Sequence, residues 1–322
     1  MAYATENYGA TRAELITALK NRFTAAGFTI ASHGQDGQYL CVQLKPDLFI
    51  EYKCTYFKYV TRSGRQRYRN CLHWRMGTSH NGAGVVGGTT SNEEGQFTNY
   101  SGWTGSLQHC PLPGKLHFCK TDVAGKQDYI FCLENPADGK GASFLGAELS
   151  CVDAQFGAHS HFYLAGHCAI SGRNDSTSPG PFHHTDDGSG PGYIRRENSD
   201  GTFHSYERAG YGPNSTSSHN TMHSYLSTGS RGFYEGIDTG LYYDPSLTTI
   251  LLPAIWGFVM PKTSSNAKYG APPKGEFPQF KIGSMKYVGI GAELTLDGKK
   301  YRMFPRVGKG GSSTTAFAIR ES

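Results

Sequence analysis

After Cys168 the chain has no cysteine, although eight thiols, at positions 41, 54, 71, 110, 119, 132, 151 and 168, stand up to that point. A disulfide framework spanning the whole chain is thereby excluded, and the two halves differ in chemistry. No two of these cysteines form a C-x-x-C pair, which removes the zinc-ribbon and dithiol redox classes. Charged residues are scarce at 18 %, below the usual quarter. The net charge of +5 over 322 residues is too mild to demand nucleic acid. The opening "MAYATENYGATRAEL" lacks a basic segment followed by an apolar run, so no signal peptide is expected. The longest apolar stretch, "TTILLPAIWGFVMP", is interrupted by Pro253 and Pro261 and is too short to span a bilayer. A soluble protein made in a cytosol is expected. Its thiols are either buried and reduced or oxidised later, outside the cell. No repeat of fixed period is found.

What is abundant is glycine, with 42 residues, and the pair of Tyr and Phe, with 20 and 18. Aromatics with many glycines and few long helix formers predict strands joined by turns. One helix stands apart, in "TRAELITALKNRFTAA", residues 11–26. Thr11 and Glu14 have the spacing of a capping box, which satisfies amide donors at the helix start. Leu15, Ile16, Leu19 and Phe23 share one face, and Gly27 offers a left-handed stop.

Downstream the pattern is that of strands. "QYLCVQL", "LFIEYKCTYFKYV" and "RYRNCLHWRM" read as strands, the last two joined by the hairpin signal "TRSGRQ". "KLHFCKTDV" and "DYIFCLE" flank "AGKQ", where Gly125-Lys126 fits a type II′ turn. "GASFLGAELS" and "SHFYLAGHCAI" read as two more strands. Residues 171–232 are rich in Gly, Ser, Asn, His and Pro and read as a long surface excursion, or an arm ordered by a neighbour. Near the end, Asp297-Gly298 between alternating runs is the strongest hairpin signal. The expected architecture is α+β but mainly β: an N-terminal helix, then antiparallel sheets or a sandwich. The expected divisions are 1–170, the excursion 171–232, and a C-terminal β region 233–322.

The Gly125-Lys126 turn makes paired residue numbers add to 251. Cys119 and Cys132 would then face each other at a non-hydrogen-bonded site, at the short end of disulfide range. They are either bonded or two reduced thiols side by side. Cys54 and Cys71 would likewise be opposite across a loop centred on Arg62-Ser63.

Three stretches suggest chemistry. "AGHCAI" places His167 before Cys168, with Cys151 17 residues upstream, as chymotrypsin-like proteases present their histidine. The candidate nucleophile, Ser189, follows His167 by only 22 residues, and Asp187-Gly188-Ser189-Gly190 lacks the second Gly after Ser. The oxyanion turn is therefore not reproduced, and no catalytic residue is expected. His159 and His161 stand two apart, followed by His167, His183, His184, Asp186 and Asp187. Zinc sites use His-x-His pairs, but the later histidines sit in the least structured stretch, so no metal and no cofactor is expected. Finally, Lys53, Lys58, Arg62, Arg65, Arg67, Arg69 and Arg75 interleave with Tyr52, Tyr56, Phe57, Tyr59, Tyr68 and Trp74. Such a ribbon can grip nucleic acid. With so modest a net charge, solvent or an acidic protein neighbour is the expected partner.

The C-terminal third carries a resemblance. "GEFPQFKIGSM", the hairpin "ELTLDGKKYRMFPRVGKGG" and the terminal "TTAFAIRES" resemble virion structural proteins of tailed bacteriophages. "DYIFCLENPADGKGASFLGAEL" followed by "HFYLAGHCAI" resembles their strand pattern. The resemblance is sharpest over 275–320 and carries no catalytic motif. It implies a neck or collar protein forming a homo-oligomeric ring at the head–tail junction. Its partners would be itself and other neck or tail proteins, with no membrane and no direct nucleic-acid contact. Its place would be the virion, after synthesis in the host bacterial cytoplasm. A baseplate or tail-completion role is the alternative within the class. A His-dependent metal hydrolase of phage origin is the alternative outside it. The cysteines would suggest a particle hardened by disulfides after lysis.

Overall fold

The computed structural model describes residues 2–34, 36–60, 66–77, 79–82, 84–86, 105–108, 110–120, 127–137, 141–150, 161–168, 193–197, 203–205, 222–224, 251–258, 273–284, 291–305 and 315–322. The chain opens with β1 (Ala2–Tyr8) and α1 (Arg12–Ala25). There follow β2 (Thr29–Gly34), β3 (Tyr39–Lys45), β4 (Leu48–Val60), β5 (Gln66–Gly77), β6 (Ser79–His80), β7 (Val85–Val86) and β8 (Gly105–Gln108). Next come β9 (Gly114–Lys120), β10 (Tyr129–Glu134), β11 (Gly141–Ser150), β12 (His161–Cys168), β13 (Tyr193–Glu197), β14 (Phe203–Ser205) and β15 (Met222–Ser224). The last are β16 (Leu251–Phe258), β17 (Pro273–Ser284), β18 (Glu293–Leu296), β19 (Lys299–Pro305) and β20 (Thr315–Arg320).

The fold is mainly β, with one helix among the described residues and three antiparallel sheets. An N-terminal sheet has the order β2-β3-β4-β5-β8. A central sheet runs β1-β9-β10-β11-β12-β13-β14, and a C-terminal sheet β15-β16-β17-β20-β19-β18. Strands β6 and β7 make a small separate hairpin. Within the stretch read as an excursion, three short strands join sheets: β13 and β14 extend the central sheet from β12, and β15 pairs with β16.

Helix α1 ends as its sequence requires. Thr11 accepts from the Glu14 amide at 3.2 Å, and the Glu14 carboxylate accepts from the Thr11 amide at 2.9 Å. At the other end Gly27 has φ +82°, and the Phe28 amide donates to the Phe23 carbonyl at 3.0 Å. That is a Schellman closure, with Phe23 and Phe28 in edge contact at 5.4 Å. Lys120 donates to the Ala26 carbonyl at 2.8 Å, placing a cation at the negative end of the helix dipole.

Leu15, Ile16, Leu19 and Phe23 are fully buried. They pack between the N-terminal sheet, through Leu40, Val42, Ile50, Tyr52, Leu72 and Trp74, and the central sheet, through Leu116, Phe118, Tyr129, Phe131 and Leu133. Phe23 is the hub: its ring stacks on Tyr52 and meets Phe118 and Tyr129 edge-on, at 5.0 and 4.9 Å. Burying such a ring contributes roughly 1.5–3 kcal/mol. The Tyr52 and Tyr129 hydroxyls bond each other at 2.6 Å, so neither is left unsatisfied in this core.

In β10 five successive residues, Tyr129 to Leu133, are buried. An amphipathic strand would alternate, so both faces of the central sheet are covered here. On the far face His117 meets Phe304 of β19 edge-on at 5.0 Å. The C-terminal sheet thus packs against the side opposite α1, and the molecule is layered around β9 and β10.

Two register expectations fail. In the ladder of β9 and β10, Cys119 stands opposite Ile130 and Cys132 opposite His117. The paired numbers add to 249, not 251, and the connection spans residues 121–128, most of which, including Gly125-Lys126, lie outside the described residues. This two-residue slip keeps every side chain on its face. It also pairs Leu116 with Leu133 and Phe118 with Phe131 on the core side, and Lys115 with Glu134. Cys119 and Cys132 are therefore diagonal neighbours, about 7–8 Å apart by the geometry of such pairs. In β4 and β5, Cys54 is opposite Leu72 and Cys71 opposite Thr55. That one-residue difference sends Cys54 and Cys71 to opposite faces, because Tyr52 must pair with Trp74 on the core side. By contrast the Asp297-Gly298 hairpin stands as read: Leu296 pairs with Lys299, and both turn residues have positive φ, +51° and +72°.

Candidate functional site

The core-facing side of the N-terminal sheet carries Leu40, Ile50, Tyr52, Leu72 and Trp74. Its other side carries a transverse row of polar residues. Ser32 of β2 stands opposite Cys41, Cys41 opposite Glu51, and Glu51 opposite Arg75. Tyr39 precedes Cys41 by two residues and so shares its face. The β6–β7 hairpin folds over this row. Its corner is tied by the Gly84 amide on Asn81 Oδ1 at 3.0 Å, with Gly82 at φ +85°. Gly84 sits so close that an added Cβ would collide with Arg75 Nη2 and lie 3.0 Å from Glu51 Oε1.

Under this cover Cys41 and Glu51 are 0 % exposed. A buried carboxylate needs partners, and Glu51 has them on both oxygens: the Tyr39 hydroxyl donates to Oε1 and Arg75 Nε donates to Oε2. His80 of β6 closes the network. Its Nε2 lies 3.1 Å from Ser32 Oγ and 3.2 Å from the Tyr39 oxygen, and its Nδ1 accepts the Gly82 amide at 3.1 Å. With Nδ1 accepting, a neutral ring carries its proton on Nε2 and donates to Ser32 or Tyr39. The His80 ring also stacks on Phe49.

Burial, and then the charge of Glu51, push the Cys41 thiol up to about 12. At neutral pH it is a thiol and a poor nucleophile. Burial and the bond to Glu51 likewise raise Tyr39 well above the ordinary phenol range. Beside this row His73 is buried, pushed down to about 4 by desolvation and then by Lys53, and its Nε2 lies 2.6 Å from Thr55 Oγ1. Among the described residues, the Sγ of Cys41, a carboxylate oxygen of Glu51 and a ring nitrogen of His80 converge to within 4.8 Å of one another.

A second polar line joins the central and C-terminal sheets. The Tyr3 hydroxyl is 2.7 Å from His117 Nδ1, and Glu134 bonds His117 Nε2. Burial lowers the affinity of His117 for a proton, and Glu134 opposes that. The bond to His117 in turn keeps the Glu134 carboxyl below its usual range. Nearby Arg302 of β19 binds Glu321 at 2.5 Å and Glu293 at 2.6 Å. This line stitches layers together and contains no nucleophile.

The residues singled out from sequence are distributed differently. His161 and His167 stand in β12, His167 opposite Phe144. Cys151, His159, His183, His184, Asp186, Asp187 and Ser189 lie outside the described residues. Of the basic ribbon, Tyr52 and Trp74 are wholly buried in the core, Tyr56 is exposed, and Arg75 belongs to the Glu51 network. Arg62 and Arg65 lie outside the described residues. Sequence reasoning missed the Tyr39–Cys41–Glu51–His80 cluster. One signal was available: Glu51 in the middle of the apolar run "LFIEYKC", where an unpaired carboxylate is untenable.

No family model matches the chain, and no curated protein matches it. Among the described residues no helix is long and apolar enough to cross a membrane.

Proposed function

We propose that the chain is a structural component of a tailed bacteriophage particle, a neck or collar protein that assembles with itself into a ring at the head–tail junction. The observation that supports this reading is where the resembling segments stand. Strand β17 of "GEFPQFKIGSM", the β18–β19 hairpin of "ELTLDGKKYRMFP" and β20 of "TTAFAIRES" follow one another along the chain. They are hydrogen-bonded neighbours in one sheet, in the order β17-β20-β19-β18. The pattern that carries the resemblance is thus one structural unit. The two polar clusters agree with a scaffold: their side chains are spent on each other, across strands and between sheets.

Light scattering behind size-exclusion chromatography on the purified full chain tests the reading. A discrete homo-oligomer of ring size is expected, without esterase or phosphoesterase turnover. A monomer at micromolar concentration that hydrolyses such substrates would replace this reading with the hydrolase one.

A further inference from the structure

We propose that Cys41, Glu51 and His80, with the Tyr39 oxygen as fourth donor, form a structural site for one zinc ion. The network of Tyr39, Glu51, Arg75 and His80 already holds the donors close together. The three side chains come from β3, β4 and the β6–β7 hairpin, and their donor atoms lie within 4.8 Å of one another. Donors on a tetrahedral zinc, with bonds of about 2.0–2.3 Å, are separated by about 3.3–3.6 Å. The Tyr39 oxygen is already 3.2 Å from His80 Nε2, so small side-chain adjustments bring all four to one centre.

The chemistry of the set selects the ion. One sulfur, one imidazole nitrogen and two oxygens suit zinc, and the sulfur disfavours magnesium and calcium. Four protein donors under a closed hairpin leave no open position, which is the mark of a structural site. Arg75 donates to Glu51 Oε2 while Oε1 accepts from the Tyr39 hydroxyl; the Arg75 bond is the outer-sphere kind that orients a ligating carboxylate. Gly84 permits the close cover, since a Cβ there would collide with Arg75 and Glu51.

Proton balance is explicit. Cys41 gives up its thiol proton on binding, and Tyr39 gives up the hydroxyl proton it now donates to Glu51 Oε1; both protons go to solvent, so affinity falls as pH falls. His80 must present the Nε2 lone pair, which moves its proton to Nδ1. The Gly82 amide that now donates to Nδ1 must then turn away. Gly82 sits at the hairpin corner with φ +85°, and a glycine there has the backbone freedom that such a turn of its peptide needs.

The test uses the purified full chain, stripped with a chelator and titrated with zinc or cobalt(II). One equivalent of zinc should be retained by elemental analysis. Cobalt(II) should give a near-ultraviolet thiolate charge-transfer band at the same stoichiometry. Cys41→Ser and His80→Ala should each lose the band, while Cys119→Ser, a thiol of the central sheet, should keep it. His80 is only partly buried, so His80→Ala remains informative if Cys41→Ser fails to fold. Retention of well under one zinc per chain overturns the proposal, and so does a cobalt band that survives His80→Ala.

Discussion

At the scale of single residues, acid sensitivity follows from His73. Desolvation, then Lys53, depress its folded pKa to about 4, against about 6.5 for an unfolded histidine. The unfolded chain therefore takes up the proton first. The stability this neutral, Thr55-bonded ring confers is complete above about pH 6.5 and lost as pH falls towards about 4. The loss is of order 3 kcal/mol, at 1.36 kcal/mol per unit of difference. His117, also lowered by burial, and Glu134, lowered by its bond to His117, act in the same direction. Urea unfolding of the wild type between pH 7 and 4 should show stability declining, and His73→Gln should flatten much of that limb. An unchanged limb in His73→Gln would assign the sensitivity to other groups.

At the scale of elements, the cysteine geometry has changed most from what the sequence implied. Cys41, Cys54, Cys71, Cys110, Cys119 and Cys132 are all buried thiols. A diagonal pair about 7–8 Å apart lies beyond the Cα separation a disulfide accepts. Peptide mapping of the oxidised chain under non-reducing conditions should therefore find no Cys119–Cys132 bridge. Its recovery in good yield would restore the two-residue turn at Gly125-Lys126. Local signals were legible wherever the deciding chemistry is local. The Thr11–Glu14 box, Gly27 and the Asp297-Gly298 turn all need only neighbouring residues, and each stands as read. Register is not local. The slip in β9 and β10 preserves faces, so alternation alone could not detect it; what decides it is the match of Leu116 and Phe118 to Leu133 and Phe131. The cluster around Glu51 escaped for the same reason. Cys41, Glu51 and Arg75 meet only once three strands are aligned, and His80 arrives on a two-residue strand, Ser79–His80, too short to leave a pattern. Strand β1 was also missed, because "AYATENY" has no apolar face to announce it.

At the scale of the whole molecule, the layered arrangement explains why the sequence looks as it does. Strands buried on both faces, such as Tyr129–Leu133, read as continuous apolar runs. Strands covered on one side alternate, as β18 does. The low content of charged residues fits sheets that face other sheets, and a ring of copies would cover further area. The central claim is the place of this chain in a particle. If the proposed reading holds, the chain is encoded by a tailed phage, and mass spectrometry of that phage's purified virions, with gold-labelled antibody viewed by electron microscopy, tests the claim most directly. The account predicts the chain in intact virions, in multiple copies per particle, with label at the head–tail junction. Its absence from purified virions, with the protein confined to the infected-cell lysate, would contradict it.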